Sequence, residues 1–271
     1  IRQLIVARRS AVKARTAAQI QIKTLLVTAP EQIRTKYRGM TDATLIASLS
    51  RTRGSETMTI NITLHALRSL ARRHQHLATE ITDLDQALER LVTDANPALA
   101  ATKGVGPITA AQLLVTAGDN PARLRNEAAF AALCGVSPIP ASSGKTNRHR
   151  LNQGGDRQAN AALYRIALVR MTYEPRTRDY VAKKGAEGRT TKEIIRCIKR
   201  AIAREIFTIL TKVIDVPKID DLRPLRKARG MSIETVAKHF TVWPMQISAI
   251  ERGKRRDDDF ATTYRQWLLS T

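Results

Sequence analysis

Leu67-Arg68-Ser69-Leu70-Ala71-Arg72-Arg73-His74-Gln75-His76-Leu77-Ala78-Thr79-Glu80-Ile81-Thr82-Asp83-Leu84-Asp85-Gln86-Ala87-Leu88-Glu89-Arg90-Leu91 decides the fold. Leu67, Leu70, His74, Leu77, Ile81, Leu84, Leu88 and Leu91 recur at alternating steps of three and four. That is the seam period of a coiled coil, not the period of two that a strand needs. The register predicts one helix from about Glu56 to Asp94, ended before Pro97. His74 is its one polar member, and a polar seam residue fixes register at a cost in stability. Three arrangements satisfy the pattern: a long helix in an ordinary bundle, an antiparallel pair with a basic helix over residues 1–28, or a coil between two chains.

Composition points the same way. Of 271 residues, 43% are hydrophobic but only 4% aromatic. Leu, Ile and Ala dominate, which favours helices, and the expected fold class is all-α. The formal net charge is +22, and it is uneven. Residues 1–40 carry +8, residues 41–144 are neutral, residues 145–210 carry +10 and residues 211–271 carry +4. An excess this large repels itself unless a polyanion neutralises it, so DNA or RNA is the expected partner. The two cysteines, Cys134 and Cys197, make no CxxC pair, which gives no zinc site and fits the reducing cytoplasm. No apolar run reaches the ~20 residues of a membrane span, and no signal-peptide core stands at the start. The chain opens at Ile1 inside a helical pattern, as a fragment would.

A short helix is expected over Asp42–Ser50, between Gly39 and Gly54. At Lys103-Gly104-Val105-Gly106-Pro107 one helix should end and another begin, with Pro107 in its first turn. This resembles a helix-hairpin-helix, in which Gly104 and Gly106 let backbone approach a phosphate and Lys103 adds charge. The alternative is a purely structural helical hairpin. Further helices are expected over residues 119–134, with Pro121 near the start and Ala128–Leu133 buried, then over 157–173 and 191–211. The last carries Arg196, Lys199, Arg200 and Arg204 on its polar side, and Glu174–Thr190 reads as a charged loop.

Val213–Asp221 reads as a linker. Beyond it, Leu222–Arg229 is a short helix, and Ser232 caps Ile233–Phe240. Thr241-Val242 makes a turn, and Trp243-Pro244 opens Met245–Glu251. This tail resembles the helix-turn-helix of phage repressors. Its second helix would show Met245, Gln246 and Ala249 to DNA, and only Gln246 pairs bidentately with a base edge. Lys254 and Arg255 follow as phosphate contacts. Trp243 and Pro244 stand where small polar residues are usual, so little sequence specificity is expected.

The chemistry concentrates in Pro138-Ile139-Pro140-Ala141-Ser142-Ser143-Gly144-Lys145-Thr146-Asn147-Arg148-His149-Arg150, which runs on to Gly154-Gly155-Asp156-Arg157. Ser142 and Ser143 precede Gly144, which permits a sharp turn and a close substrate. A serine hydroxyl attacks phosphorus only if its proton is removed and the developing charge is held. Lys145, Arg148, Arg150 and Arg157 supply that charge, and His149 either relays a proton or contacts phosphate. The competing reading is a phosphate-binding turn without catalysis.

From Ile1 to about Leu210 the chain resembles the C-terminal part of insertion-sequence transposases of the Piv/MooV invertase family. The carrying residues are Leu4–Arg9, Gly104–Pro107, Phe130–Pro138, Ser142–Lys145 and Gly154–Tyr164. In such proteins an N-terminal RuvC-like domain with four acidic Mg²⁺ ligands completes a composite site with a nucleophilic serine, and a structured guide RNA pairs donor with target. The resemblance implies that Ser143 is the nucleophile, with Ser142 its neighbouring rival. No segment here resembles the acidic domain, so no metal or cofactor is expected on this chain. The expected layout is a helical scaffold over 1–95, able to join copies through its coil, then a serine-bearing transposase domain over 96–212, then the linker and helix-turn-helix over 213–271. The expected function is a DNA recombinase fragment. The alternative is a DNA-binding remnant or regulator without catalysis.

Overall fold

The computed structural model describes the chain except residues 55, 56, 121–123, 143–148, 151, 215, 254–256 and 271, and at position 149 only the backbone. The described residues form fourteen helices and one two-residue antiparallel ladder, so the fold is all-α. Contacts divide the chain into two compact units, Ile1–Leu91 and Val92–Thr271. No helix among the described residues is long and apolar enough to cross a membrane.

In the first unit α1 (Arg2–Thr28) and the long α4 (Met58–Ala95) pair antiparallel within the chain. Arg8 on α1 forms an ion pair with Asp85 on α4. Arg15 faces His74, and Ile22 packs into the cluster that holds Leu67 and Ala71. Numbers that rise on one helix fall on the other. Between them α2 (Glu31–Tyr37) and α3 (Asp42–Ser50) close the end of the pair. They add Ile33, Tyr37, Leu45 and Leu49 to the same core. Tyr37 lies at 2.6 Å from the Thr52 hydroxyl, which satisfies its phenol.

The seam of α4 differs from the one its leucines suggest. Leu64, Leu67, Ala71, Ile81, Leu88 and Val92 are buried, whereas Leu70, Leu77 and Leu84 are half-buried and Leu91 is 41% exposed. Ala11 and Ala18 on α1 are buried as well.

His74 lies in this interface. Burial, then the Arg15 guanidinium, hold its pKa below the ordinary histidine value against a weaker pull from Asp42. The unfolded chain therefore binds a proton more readily than the folded one. This contribution is fully present above the ordinary histidine pKa and is lost as pH falls below about 6.5. Urea midpoints of the first unit are expected to drop between pH 7.5 and 5.5, and His74→Leu to flatten that dependence. An unchanged slope in His74→Leu would remove His74 as its cause.

The second unit is organised around α8 (Arg157–Tyr173). It packs on α6 (Pro107–Ala117) and α10 (Thr191–Thr211), and α7 (Glu127–Leu133) lies against α10. Ala159, Ala162, Leu163, Ile166 and Ala167 form its buried stripe against Leu113, Phe130, Ile198, Ile202 and Ile206. Each buried Leu or Ile contributes ~1.5–3 kcal/mol. Asp156 caps α8 by accepting from the Gln158 and Ala159 amides, and Thr190 with Glu193 forms a capping box on α10. The short α5 (Pro97–Ala101) is capped by Asn96, whose amide also reaches the Ile209 carbonyl on α10.

Two expectations here are corrected. Glu174–Thr190 is not a loop but carries α9 (Pro175–Ala186), which starts on a proline and buries no side chain, so no apolar period marks it. Helix α7 starts at Glu127 rather than near Pro121, because Asn126 accepts from the Ala129 amide as its cap. Only Phe130 and Ala131 of that helix are buried.

The tail comprises α11 (Leu222–Ala228), α12 (Ile233–His239), α13 (Pro244–Glu251) and α14 (Asp258–Ser270). These share one core of Leu222, Val236, Ala237, Ile247, Ile250, Ala261, Tyr264 and Leu268. Phe240, Phe260, Tyr264 and Trp267 pack edge-to-face and tilted around it. Beneath them Arg226 and Glu251 form a buried bidentate pair at 2.6 and 2.9 Å.

Candidate nucleic-acid interface

The second unit opens a cleft of about 860 Å³ between α9, α10 and the segments either side of the ladder. The ladder pairs β1 (Ile139–Pro140) with β2 (His149–Arg150), Ile139 opposite Arg150. It fixes where the serine-bearing segment leaves and returns, and Pro138 and Arg150 at its root both line the cleft. Ser142 is exposed just beyond β1. Ser143, Lys145 and Arg148 lie outside the described residues, as do Lys254 and Arg255.

Two close backbone contacts clamp the base of this excursion. A Cβ on Gly155, where φ is +83°, would lie 2.7 Å from the Ala132 and Leu133 carbonyls and from the Gly135 nitrogen. A Cβ on Gly135 would lie 2.6 Å from the Gly154 carbonyl. The neighbouring Asp156 amide donates to the Leu133 carbonyl at 2.7 Å, and the Thr116 hydroxyl donates to the Asp156 carboxylate at 2.6 Å. The backbone at Ala132–Gly135 and at Gly154–Asp156, on either side of residues 136–153, is therefore pressed together through glycine.

The cleft is cationic. Arg150, Lys184, Arg189, Arg196, Lys199, Arg200 and Arg204 line it, with Glu193 the one acid lining it among the described residues. Glu193 spends its charge on the α10 N-terminus, accepting from the Thr190 amide and hydroxyl, and those bonds hold its carboxyl below the usual range. Glu127 pairs with Arg200, and with Arg204 at 3.0 Å; against the cost of burial these cations keep it ionised. Lys184 pairs with Glu187 at 2.6 Å. Among the described residues, no carboxylate lies within ion-pair distance of Arg150, Arg189 or Arg196. Lys199 is the deepest cation, 7% exposed, and its ammonium donates to the Asn160 carbonyl oxygen at 2.9 Å. Asn160 in turn donates to the Cys134 and Gly135 carbonyls, which ties α10 to the loop base. Burial, then Arg196, lower the Lys199 pKa. Cys134 is buried beside this network, and desolvation pushes its thiol up to about 12. It is therefore an inert thiol rather than a nucleophile.

The remaining sequence-selected residues do not gather at the cleft. Arg157 lines a smaller depression of about 270 Å³ with Asn152, Gly154 and Asn160. Lys103, Gly104 and Gly106 line neither. Gly104 has φ +80°, and a Cβ there would press on Arg170 and Ile166, so internal packing accounts for that glycine. The Gly106 amide donates to the Thr109 hydroxyl at 2.9 Å and Pro107 has none, so the start of α6 offers a phosphate fewer donors than its sequence suggests. Arg170, buried under this turn, donates to the Lys103 carbonyl and bidentately to Glu205. Gln246 is half-buried on α13. Tyr180, Lys184 and Arg189 belong to the cleft but were not read from the sequence. Their signal was the +10 charge of residues 145–210, and only the folding of α9 against α8 and α10 turns it into a wall.

The second unit thus converges seven cations on one cleft, with Ser142 exposed near its edge. Within that unit, residues 96–182 match the transposase family described as IS116/IS110/IS902. The chain is 34% identical over 110 residues to the "Insertion element IS110 uncharacterized 43.6 kDa protein" of Streptomyces coelicolor, an alignment covering 40% of this chain and 27% of that protein. It is 26% identical over 144 residues to the "Insertion element IS900 uncharacterized 42 kDa protein" of Mycobacterium paratuberculosis, covering 52% and 36%. The chain thus spans about a quarter to a third of the length of these relatives. The matches support an insertion-sequence transposase.

Proposed function

We propose that the chain holds DNA for strand cleavage and rejoining in an insertion-sequence element of Piv/MooV type, with Ser143 as nucleophile. The observation that carries this reading is the cleft at the root of the serine hairpin. Its deepest cation, Lys199, rests against an amide rather than a carboxylate, so a phosphate oxygen supplies the counter-charge it lacks. In the proposed step the Ser143 oxygen bonds to phosphorus and the bond to the leaving deoxyribose oxygen breaks. The hydroxyl proton ends on the departing oxygen, and the phosphoserine link keeps the strand ready for rejoining. Lys145, Arg148 and Arg150 hold the phosphate, and Lys103, Gly104 and Gly106 contact a flanking one.

The resemblance implies Mg²⁺ on a RuvC-like domain. Among the described residues no cluster of three or more His, Cys, Asp or Glu side chains fits a metal ion, so no step here runs through one. A guide RNA is the proposed second polyanion. The half-covered leucines at 70, 77, 84 and 91 are the proposed contact between copies of the chain. Helices α12 and α13 are proposed as a helix-turn-helix with Gln246 at a base edge.

The test is a covalent adduct. The chain is incubated with element-end DNA, flanking RNA and Mg²⁺, with and without a full-length relative, then denatured and resolved by mass. The expected result is a shifted band that is lost in Ser143→Ala. Absence of adduct under every condition, with binding that still weakens steeply in salt, would replace this reading with a DNA-binding remnant.

A further inference from the structure

We propose that the tail reads thymine 5-methyl groups in the DNA major groove through the exposed side chains of Trp243 and Met245. The inference rests on the helix-turn-helix reading of α12 and α13. Trp243 is 78% exposed and Met245 77%, on a module whose other aromatics are packed into its core. Met245 is exposed in the first turn of α13, Gln246 and Ala249 beside it are half-buried, and the C-cap Arg252 is exposed just past the helix. Ile247 and Ile250 occupy the opposite, buried line. The one acid of the helix, Glu251, is buried and paired with Arg226, so the outward face carries no negative charge.

That face fits DNA in sign, with Arg252 exposed at its C-terminal end. It is otherwise apolar, which decides what it selects. Of the four bases only thymine shows a methyl group in the major groove, where the other large features are donors and acceptors. Pressing an indole ring or a thioether against those groups leaves them unsatisfied and opposes binding. Against a methyl group the same side chains gain buried area. Trp243 and Met245 are therefore selective for thymine, and the unusual residues at the start of the reading helix set a preference rather than abolish one.

The test is selection of the full chain on a random 20-base-pair duplex library with excess competitor DNA. Trp243→Ala, Met245→Ala and a chain lacking 213–271 are run in parallel. Both side chains are exposed, so neither alanine change should disturb folding. The expected result is an enriched motif containing thymines that both single variants lose. Resynthesis with deoxyuridine at those thymines should weaken binding roughly fourfold per methyl, the equivalent of one buried CH₂ group. A motif bound equally with thymine and uracil would overturn the methyl contact and leave the helix-turn-helix standing. Loss of no motif on deleting 213–271 would overturn the helix-turn-helix reading itself, and this inference with it.

Discussion

Gly155→Ala is expected to lose about 3 kcal/mol or more of stability in the second unit and, with it, tight binding to duplex DNA. Three backbone atoms lie 2.7 Å from where the new Cβ would stand, and none is the movable end of a side chain. The left-handed φ of +83° alone costs an alanine ~1–2 kcal/mol. Relieving the clash would pull apart the two turns at the base of the serine loop and stretch the Asp156–Leu133 hydrogen bond beside them. Asp156 also caps α8, so the disturbance reaches the central helix. Gly106→Ala is the control: φ there is −89° and nothing lies within 4 Å, so it should be neutral or slightly stabilising. Urea unfolding followed by circular dichroism measures both. If the two variants unfold alike, the clamp has no energetic role.

Glu251→Ala is expected to destabilise the tail by about 3–5 kcal/mol, enough to unfold a module of this size. The carboxylate accepts from the Arg226 guanidinium at 2.6 and 2.9 Å and from the Tyr264 hydroxyl at 2.9 Å. Burial, then Glu251 itself, push the Tyr264 pKa well above its ordinary value, so the phenol keeps its proton and stays a donor. Without the carboxylate a buried cation and a buried hydroxyl both lose their acceptor. The double change Arg226→Met with Glu251→Leu should recover most of the loss, because it removes both charges together. Breaking the more exposed pair with Asp221→Ala, which frees Arg265, should cost under about 1 kcal/mol. Trp267, stacked on His239 at 4.3 Å, reports the unfolding by fluorescence. A Glu251→Ala midpoint equal to that of Asp221→Ala would show that burial adds nothing to this pair.

The helices α8 and α10 could be read to the residue, and the reason is local. Each has a regular apolar stripe, and each starts on a cap, Asp156 or Thr190, that satisfies its first amides. Helix α9 had no such stripe because it buries nothing, and α2 and α14 were not read as separate elements. On α4, Leu67, Ile81 and Leu88 are buried as the register expects, while burial falls on Ala71 and Val92 rather than on Leu70 and Leu91. Leucines mark where an apolar face lies, not which edge of it meets a partner. The charges of the cleft were legible as a basic segment, but its mouth was not, because α9 and α10 converge only in three dimensions.

The sequence by itself determined the helical class, the excess of cations and their concentration after residue 145. These follow from side-chain period and composition, which are properties of neighbours along the chain. Only the tertiary structure decided which cations stay open to phosphate. Glu127 engages Arg200 and Arg204, Glu205 engages Arg170 and Glu251 engages Arg226, across separations of 25 to 77 residues. Arg150, Arg189 and Arg196 keep no such partner among the described residues. Ion pairing depends on the distance between charges and on the water between them, and packing of distant segments sets both.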